Sequence, residues 1–275
     1  MDDPGFFESY FLWRDAMFAA LVGSILVAHL GVYVVLMRGA FVSAAVSQAA
    51  GLGVVSALFL GASAENDLRP LALGVGLGVI ASAVFATPRR HSRISPDTVL
   101  ACVVIAASAL TLVLARYLEQ DYQHVQGALF GDAVVASESE LWLLGGMATL
   151  ALLLHIKVRH RFLLVAFDPE AARARGMSAS RWGLLLGLLV GASISMVTRA
   201  LGALPAFAFS VIPAGAALLL AQSMRWIFWL SAAIAAASAT LGYYLSFVAD
   251  LPTGPTMVGV AVLMLVPGVL RNAIR

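Results

Sequence analysis

Residues 15–37 read DAMFAALVGSILVAHLGVYVVLM, and no charged side chain follows the first residue of this stretch. The hydrocarbon core of a bilayer is roughly 30 Å thick and needs about 20 apolar residues for each helical crossing. A helix also bonds its own backbone polar groups, which lipid cannot do. The stretch therefore predicts a transmembrane α-helix.

The rest of the chain has the same character. Hydrophobic residues make up 61% of the 275 residues and charged residues only 12%, with a mean hydropathy of +0.93. A soluble domain of this size is usually about one quarter charged, because a core surrounded by water needs a polar skin. We therefore predict an all-α polytopic transmembrane bundle, with residues 1–275 forming a single domain.

Polar residues divide the chain into about nine apolar runs. The runs cover residues 15–37, 41–60, 70–86, 96–118, 141–156, 183–198, 201–221, 226–248 and 253–270. Residues 141–156 and 183–198 are short for a full crossing, so we expect these two helices to begin in their flanking loops.

The basic residues predict an orientation. Cytoplasmic connections of membrane proteins carry an excess of Lys and Arg. With the N-terminus outside, only Arg14, Arg69, Arg116 and Arg199 of the 17 basic residues fall outside. This distribution and an odd number of spans predict an outside N-terminus and a cytoplasmic C-terminus.

The connection 157–181 is the longest one predicted inside, and its residues 167–177 read FDPEAARARGM. Asp168 can cap a helix, Pro169 suits the first turn, and Glu170 is favoured near the positive end of the helix dipole.

The same stretch also carries signals for a helix end. Arg173 and Arg175 lie toward the negative end of the dipole, and Gly176 is placed to terminate the helix. A short amphipathic helix on the cytoplasmic face is predicted. Its local features leave two alternatives open, a solvated connector and a docking element for a cytoplasmic partner.

Two other segments are unusual for their places. Ser43 and Ser47 share a face of the second span with Gln48 close by, and an intramembrane Gln is costly unless it meets a partner such as a neighbouring helix. Residues 126–141 are too apolar for a plain loop and too broken for a span, so they predict a half-inserted or interfacial helix.

The titratable residues do not predict catalysis. His29 and His155 lie singly in or near spans, and no span carries the His, Asp and Glu cluster that a metal site needs. We find no nucleophile with a neighbouring base, so the chain is not expected to be an enzyme. The net charge of +2 gives no indication of a nucleic-acid partner.

Six stretches, in this order, resemble one family of transporters. They follow the basic Arg38 and are residues 41–53 (FVSAAVSQAAGLG), 95–98 (SPDT), 129–132 (LFGD), 167–176 (FDPEAARARG), 211–214 (VIPA) and 251–256 (LPTGPT). Together they resemble the membrane permeases of the metal-type ABC importers, which carry zinc, manganese and iron or their chelates.

The resemblance implies partners and residue roles. Two permease subunits would pair as a homo- or heterodimer in the bacterial cytoplasmic (inner) membrane, above two cytoplasmic ATP-binding subunits, and an extracytoplasmic binding protein would deliver the substrate. ATP would be used by the partner, so this chain would bind no cofactor. The expected roles of its residues are ATPase coupling for Asp168, Glu170, Arg173, Arg175 and Gly176, and translocation path for Ser43, Ser47 and Gln48.

One departure from the family leaves the cargo open. The family's intramembrane Asp and His fall on Ala44 and Gln48, so both metal-binding side chains are missing. A partner permease could carry the site, the cargo could be a chelate, or metal could pass without that coordination. The implied function is import of a divalent transition metal or its chelate. The alternative is a related permease or scaffold that has lost metal binding and moves another cargo or acts only in a heterodimer.

Overall fold

The computed structural model describes residues 10–63, 67–86, 94–118, 122–131 and 138–273, and all regular structure in them is helical. The helices are α1 (Tyr10–Leu36), α2 (Ala40–Phe59), α3 (Arg69–Ala86), α4 (Pro96–Ala115), α5 (Tyr122–Phe130), α6 (Glu138–Phe167), α7 (Pro169–Ala174), α8 (Ala179–Leu201), α9 (Ala203–Leu220), α10 (Met224–Ala249) and α11 (Thr253–Ala273).

The predicted apolar runs all coincide with helices. Eight helices among the described residues are long and apolar enough to cross a membrane, and α3 is the shorter ninth. The two runs that looked short lie within the longer helices α6 and α8, which begin before the runs do. The predicted polytopic bundle is confirmed, whereas the sidedness of its ends remains a prediction.

The connection predicted at 157–181 is itself helical over its first eleven residues, so the predicted end of the span near residue 156 is not the end of the helix. Helix α6 continues without interruption to Phe167. This part of α6 is amphipathic, which allows the helix to continue. Phe162, Val165 and Ala166 are buried against the bundle, whereas the charged residues between Lys157 and Arg161 are exposed. Only the segment around α7 connects α6 to α8.

The helices form an inner and an outer set. Helices α1, α2 and α8 are largely buried within the chain, whereas α4, α6 and α11 expose most of their apolar side chains. Trp142 near the start of α6 and Trp226 near the start of α10 are exposed at opposite ends of the bundle. Tryptophans are enriched at both membrane interfaces, so these positions fit a bundle surrounded by lipid.

Small residues set the distances between the inner helices. A Cβ added to Gly31 of α1 would collide with the backbone carbonyl of Ser210 in α9. The Ser82 hydroxyl of α3 donates a 2.6 Å hydrogen bond to the carbonyl of Gly187 in α8. Close backbone approach and hydroxyl-to-carbonyl bonds are the usual means of helix association in lipid.

Helix α5 occupies part of the region predicted as an interfacial helix. Its residue Val125 is buried against Val54 and Val55 of α2. After α5, Gly131 adopts a positive φ of 87° and packs directly against Gly202 in the turn between α8 and α9. The part of the predicted segment at 132–137 lies outside the described residues.

Candidate docking helix and translocation face

Helix α7 begins with a complete side-chain cap. The Asp168 carboxylate accepts hydrogen bonds from the backbone N–H groups of Glu170 (3.0 Å) and Ala171 (2.9 Å), and Pro169 fills the first helical position. An Asp cap satisfies donors that the helix cannot bond internally and places a negative charge at the positive end of the dipole.

The other end of α7 is closed by a glycine motif. Gly176 has a φ of 75°, and its N–H donates to the carbonyl of Arg173 (2.9 Å). The N–H of Met177 donates to the carbonyl of Ala172 (3.0 Å). This pair of bonds is the Schellman arrangement, in which glycine is preferred because a Cβ disfavours positive φ. The short helix predicted over residues 168–176 is confirmed.

One face of α7 is anchored and the other is open. Ala172 is fully buried in a small apolar cluster with Val165 of α6 and Ala179 of α8. The side chains of Glu170, Arg173 and Arg175 are exposed. The helix therefore presents a mixed-charge surface at a fixed position between two long helices, although no contact in the structure tests its predicted role in coupling.

Helix α2 has one half-open stripe along an otherwise buried surface. Ala44, Gln48, Leu52 and Ser56 recur every four residues and all keep partial exposure. The Ser108 hydroxyl of α4 donates a 3.1 Å hydrogen bond to the Gln48 side-chain oxygen. The interhelical partner expected for Gln48 is thus Ser108, a residue that no pattern in the sequence indicated.

The other two predicted path residues lie on a different side of α2. Ser43 and Ser47 are both fully buried. The Ser47 hydroxyl donates to the carbonyl of Ala44 in its own helix (3.1 Å), and the Ser43 hydroxyl has no partner among the described residues. Of the three predicted path residues, the structure brings only Gln48 to the half-open stripe.

Two histidines that looked solitary in the sequence are neighbours. The rings of His29 in α1 and His155 in α6 lie 4.5 Å apart between centroids, and Phe228 packs against both. The Tyr33 hydroxyl lies 2.7 Å from Nδ1 of His155. The only signal in the sequence for this cluster was the four-residue spacing of His29 and Tyr33.

Within the described ranges, no three residues of the His, Cys, Asp and Glu types are grouped as a metal site would need.

Two ion pairs of the described residues lie at the opposite end of the bundle from α7. The Arg199 Nε at the end of α8 donates to the Glu140 carboxylate in the first turn of α6 (2.6 Å), and both side chains are mostly buried. Before α3, the hydrogen bond from the Arg69 side chain holds the pKa of the Asp67 carboxyl below its usual value. The two arginines and the two carboxylates are therefore all paired within the chain.

Apolar helices joined through small residues, with a half-open inner stripe and a short capped helix at one end, define a polytopic helical membrane protein. Within that class the chain belongs to the ABC 3 transport family, whose family model matches residues 9–272. The family that the six sequence stretches resembled is therefore confirmed.

Individual relatives match over most of their length. The chain is 28% identical to the manganese transport system membrane protein MntC of Halalkalibacterium halodurans, over 92% of this chain and 85% of that one. It is 29% identical to the chelated iron transport system membrane protein YfeD of Yersinia pestis, over 97% and 88%.

Solved structures share the fold. The PsaBC structure from Streptococcus pneumoniae, in complex with Fab, aligns with a TM-score of 0.81 at 22% identity, covering 96% of this chain and 94% of that chain. An inward-facing metal-chelate type ABC transporter aligns with a TM-score of 0.77 at 16% identity, covering 95% and 87%.

Proposed function

We propose that this chain is the membrane-spanning permease subunit of an ATP-driven importer for a divalent transition metal, zinc, manganese or iron, or its chelate. The single observation that carries the proposal is α7, a helix closed at both ends whose charged face is open for a partner. The names of the manganese and chelated-iron transport relatives support the choice of cargo class.

The geometry around α7 suggests how ATP-driven motion reaches the membrane. A separate cytoplasmic ATPase would press on Glu170, Arg173 and Arg175, which the structure leaves exposed. Helix α7 is joined directly to α6 and α8, and α8 is bonded to α3 through Ser82 and Gly187. A displacement of α7 would therefore move α8 together with the inner helices rather than bend a loose loop.

We propose that the cargo path runs along the half-open stripe of α2. Ala44 and Gln48 lie one turn apart on this stripe, where an Asp and a His would present a carboxylate and an imidazole to α4. With Ala and Gln there, these two positions offer a divalent ion only an amide oxygen, which is a weaker ligand than a carboxylate and an imidazole together. A chelated metal, or a site completed by a different partner permease, fits this stripe better than a tightly held bare ion.

The transport test uses the chain reconstituted in proteoliposomes with its ATPase subunits and binding protein. We expect ATP-dependent uptake of radioactive manganese, zinc or iron, either free or chelated. The double variant Ala44→Asp with Gln48→His should lower the metal concentration that gives half-maximal uptake, whereas Gln48→Asn should not. Coupled ATP hydrolysis with no uptake of any metal species would favour the alternative, a permease for a non-metal cargo.

The proposed orientation, with the N-terminus outside, can be measured by cysteine labelling. Cys102 is exposed and would first be replaced by serine. A cysteine at Ser63, between α2 and α3, should react with a membrane-impermeant maleimide in intact cells. A cysteine at Asn272, near the end of α11, should react only after the membrane is permeabilised. The reverse pattern would overturn the orientation.

A further inference from the structure

A cavity of about 450 Å³ opens beside α7, and we call it the basal cavity. Much of its wall is apolar and includes Val34 of α1, Val165 of α6 and Val190 of α8. Two arginines also line it, Arg38 from the turn after α1 and Arg173 from α7, and none of the described lining residues is acidic. The lining therefore combines apolar side chains with two cations, while the acidic residues Asp168 and Glu170 lie beside it in the chain without lining it.

The dimensions of the basal cavity exceed what a single inorganic ion requires. Sites for small molecules usually measure about 300–1,000 Å³. Ala179 and Val190 are the first and last residues of α8 that line the cavity. A helix rises 1.5 Å per residue, so the lining along α8 extends over about 16 Å. A long apolar wall that begins at a pair of cations is complementary to an amphiphile with an anionic head.

The mouth of the cavity lies at the level expected for lipid headgroups. Near the start of α8, the guanidinium of Arg161 stacks over the ring of Trp182 with 4.7 Å to the ring centroid. Tryptophan and long basic side chains are the residues that occupy the boundary between hydrocarbon and water. The apolar wall runs from this level toward the middle of the membrane.

The backbone conformation at Arg38 gives an independent indication that the arginine side chain has a role at this position. Arg38 has a φ of 56°, and its N–H donates to the carbonyl of Val35 (3.0 Å) while Gly39 N–H donates to that of Val34 (2.9 Å). This is the same Schellman closure as at the end of α7, but with arginine at the position where glycine is preferred. A glycine would close α1 with less strain, and such an outlier points to a role for the side chain.

We propose that the basal cavity binds an anionic phospholipid of the cytoplasmic leaflet, with the headgroup phosphate on Arg38 and Arg173 and an acyl chain along the apolar wall. Basic pockets between membrane helices on the cytoplasmic side suit anionic headgroups. An acidic side chain of the ATPase could meet the arginines, but it would leave the apolar wall unfilled. The bound lipid would connect the α1–α2 turn to α7. The assignment to this leaflet rests on the orientation proposed above.

The test uses the purified full-length chain and the variants Arg38→Gly, Arg38→Lys and Arg225→Gln. Arg225 is an exposed arginine at the same end of the bundle that does not line the cavity. Phosphatidylglycerol is titrated against thermal unfolding and against lipid retention in native mass spectrometry, with phosphatidylcholine and glycerol phosphate as comparison ligands. Because glycine relieves the positive φ, Arg38→Gly should unfold at the same or a higher temperature than wild type without lipid.

We expect phosphatidylglycerol to stabilise wild type and Arg225→Gln equally, and its apparent affinity to fall at least about tenfold in Arg38→Gly, with Arg38→Lys intermediate. An unchanged affinity in Arg38→Gly, or equal stabilisation by phosphatidylcholine, would overturn the proposal. Stabilisation by glycerol phosphate alone would identify a free-anion site instead. If Arg38→Gly lost ATPase binding but kept the lipid, the occupant would be an acidic side chain of the partner. Cysteine labelling that placed this end outside would refute the leaflet but not the lipid site.

Discussion

Replacing Gly31 with alanine is expected to lower the free energy of unfolding by about 3 kcal/mol, the upper part of the usual range for overpacking a core. The added Cβ would occupy the position of the Ser210 carbonyl in α9. A backbone atom cannot rotate away as a side chain can. Helix α1 has little room to move away, because its Tyr33 packs against Phe162 of α6 and Phe228 of α10. Native domains are stable by only about 5–15 kcal/mol, so this change would remove a substantial part of the free energy that holds the chain folded.

The measurement is the thermal unfolding midpoint and the yield of monodisperse protein in detergent. Gly76 of α3 supplies a matched control, because a Cβ built there meets no atom within 4 Å. Gly76→Ala should be neutral or stabilise by up to about 1 kcal/mol, since alanine is the better helix former. Equal stability of the two variants would show that α1 and α9 are not in contact through Gly31.

The sequence predicted the spans and α7 well because their signals are local. Hydropathy reports contact with lipid, which each apolar run makes along its own length. The cap of α7 is likewise contained within a few residues, from Asp168 to Gly176, and its hydrogen bonds involve only neighbouring backbone groups. The end of α6 was misjudged because residues 157–167 are charged on one face and buried on the other, which resembles a loop when only charge is counted.

Features that depend on which helices contact each other could not be predicted from the sequence. The spacing of Ser43 and Ser47 placed them on one face of α2, but it did not say whether that face was buried or open. His29 and His155 come from helices far apart in the chain, so their contact required the arrangement of α1 and α6. The basal cavity likewise combines Arg38 and Arg173 through the packing of α1, α7 and α8.

Replacing Asp168 with alanine is expected to reduce both ATPase binding and ATP-driven uptake about fivefold or more. Helix α7 has only six residues, far fewer than an isolated helix needs for stability, so it depends on its two ends and on Ala172. Losing an Asp cap costs about 1 kcal/mol, and 1.4 kcal/mol corresponds to a tenfold change in an equilibrium. The measurements are the Kd of the ATPase subunit for the reconstituted chain and the rate of uptake.

Asp168→Asn separates the cap from the charge, because asparagine accepts the same backbone hydrogen bonds and caps about as well as aspartate. It should keep most of the binding that alanine loses. Gly176→Ala acts on the other end of α7 through its positive φ, so its effect should resemble that of Asp168→Ala. Glu170→Gln leaves both ends intact and changes only the exposed face. If both end variants bound the ATPase as wild type does, ordered α7 would not be the docking element. If only Glu170→Gln weakened binding, contact charge rather than helix order would determine coupling.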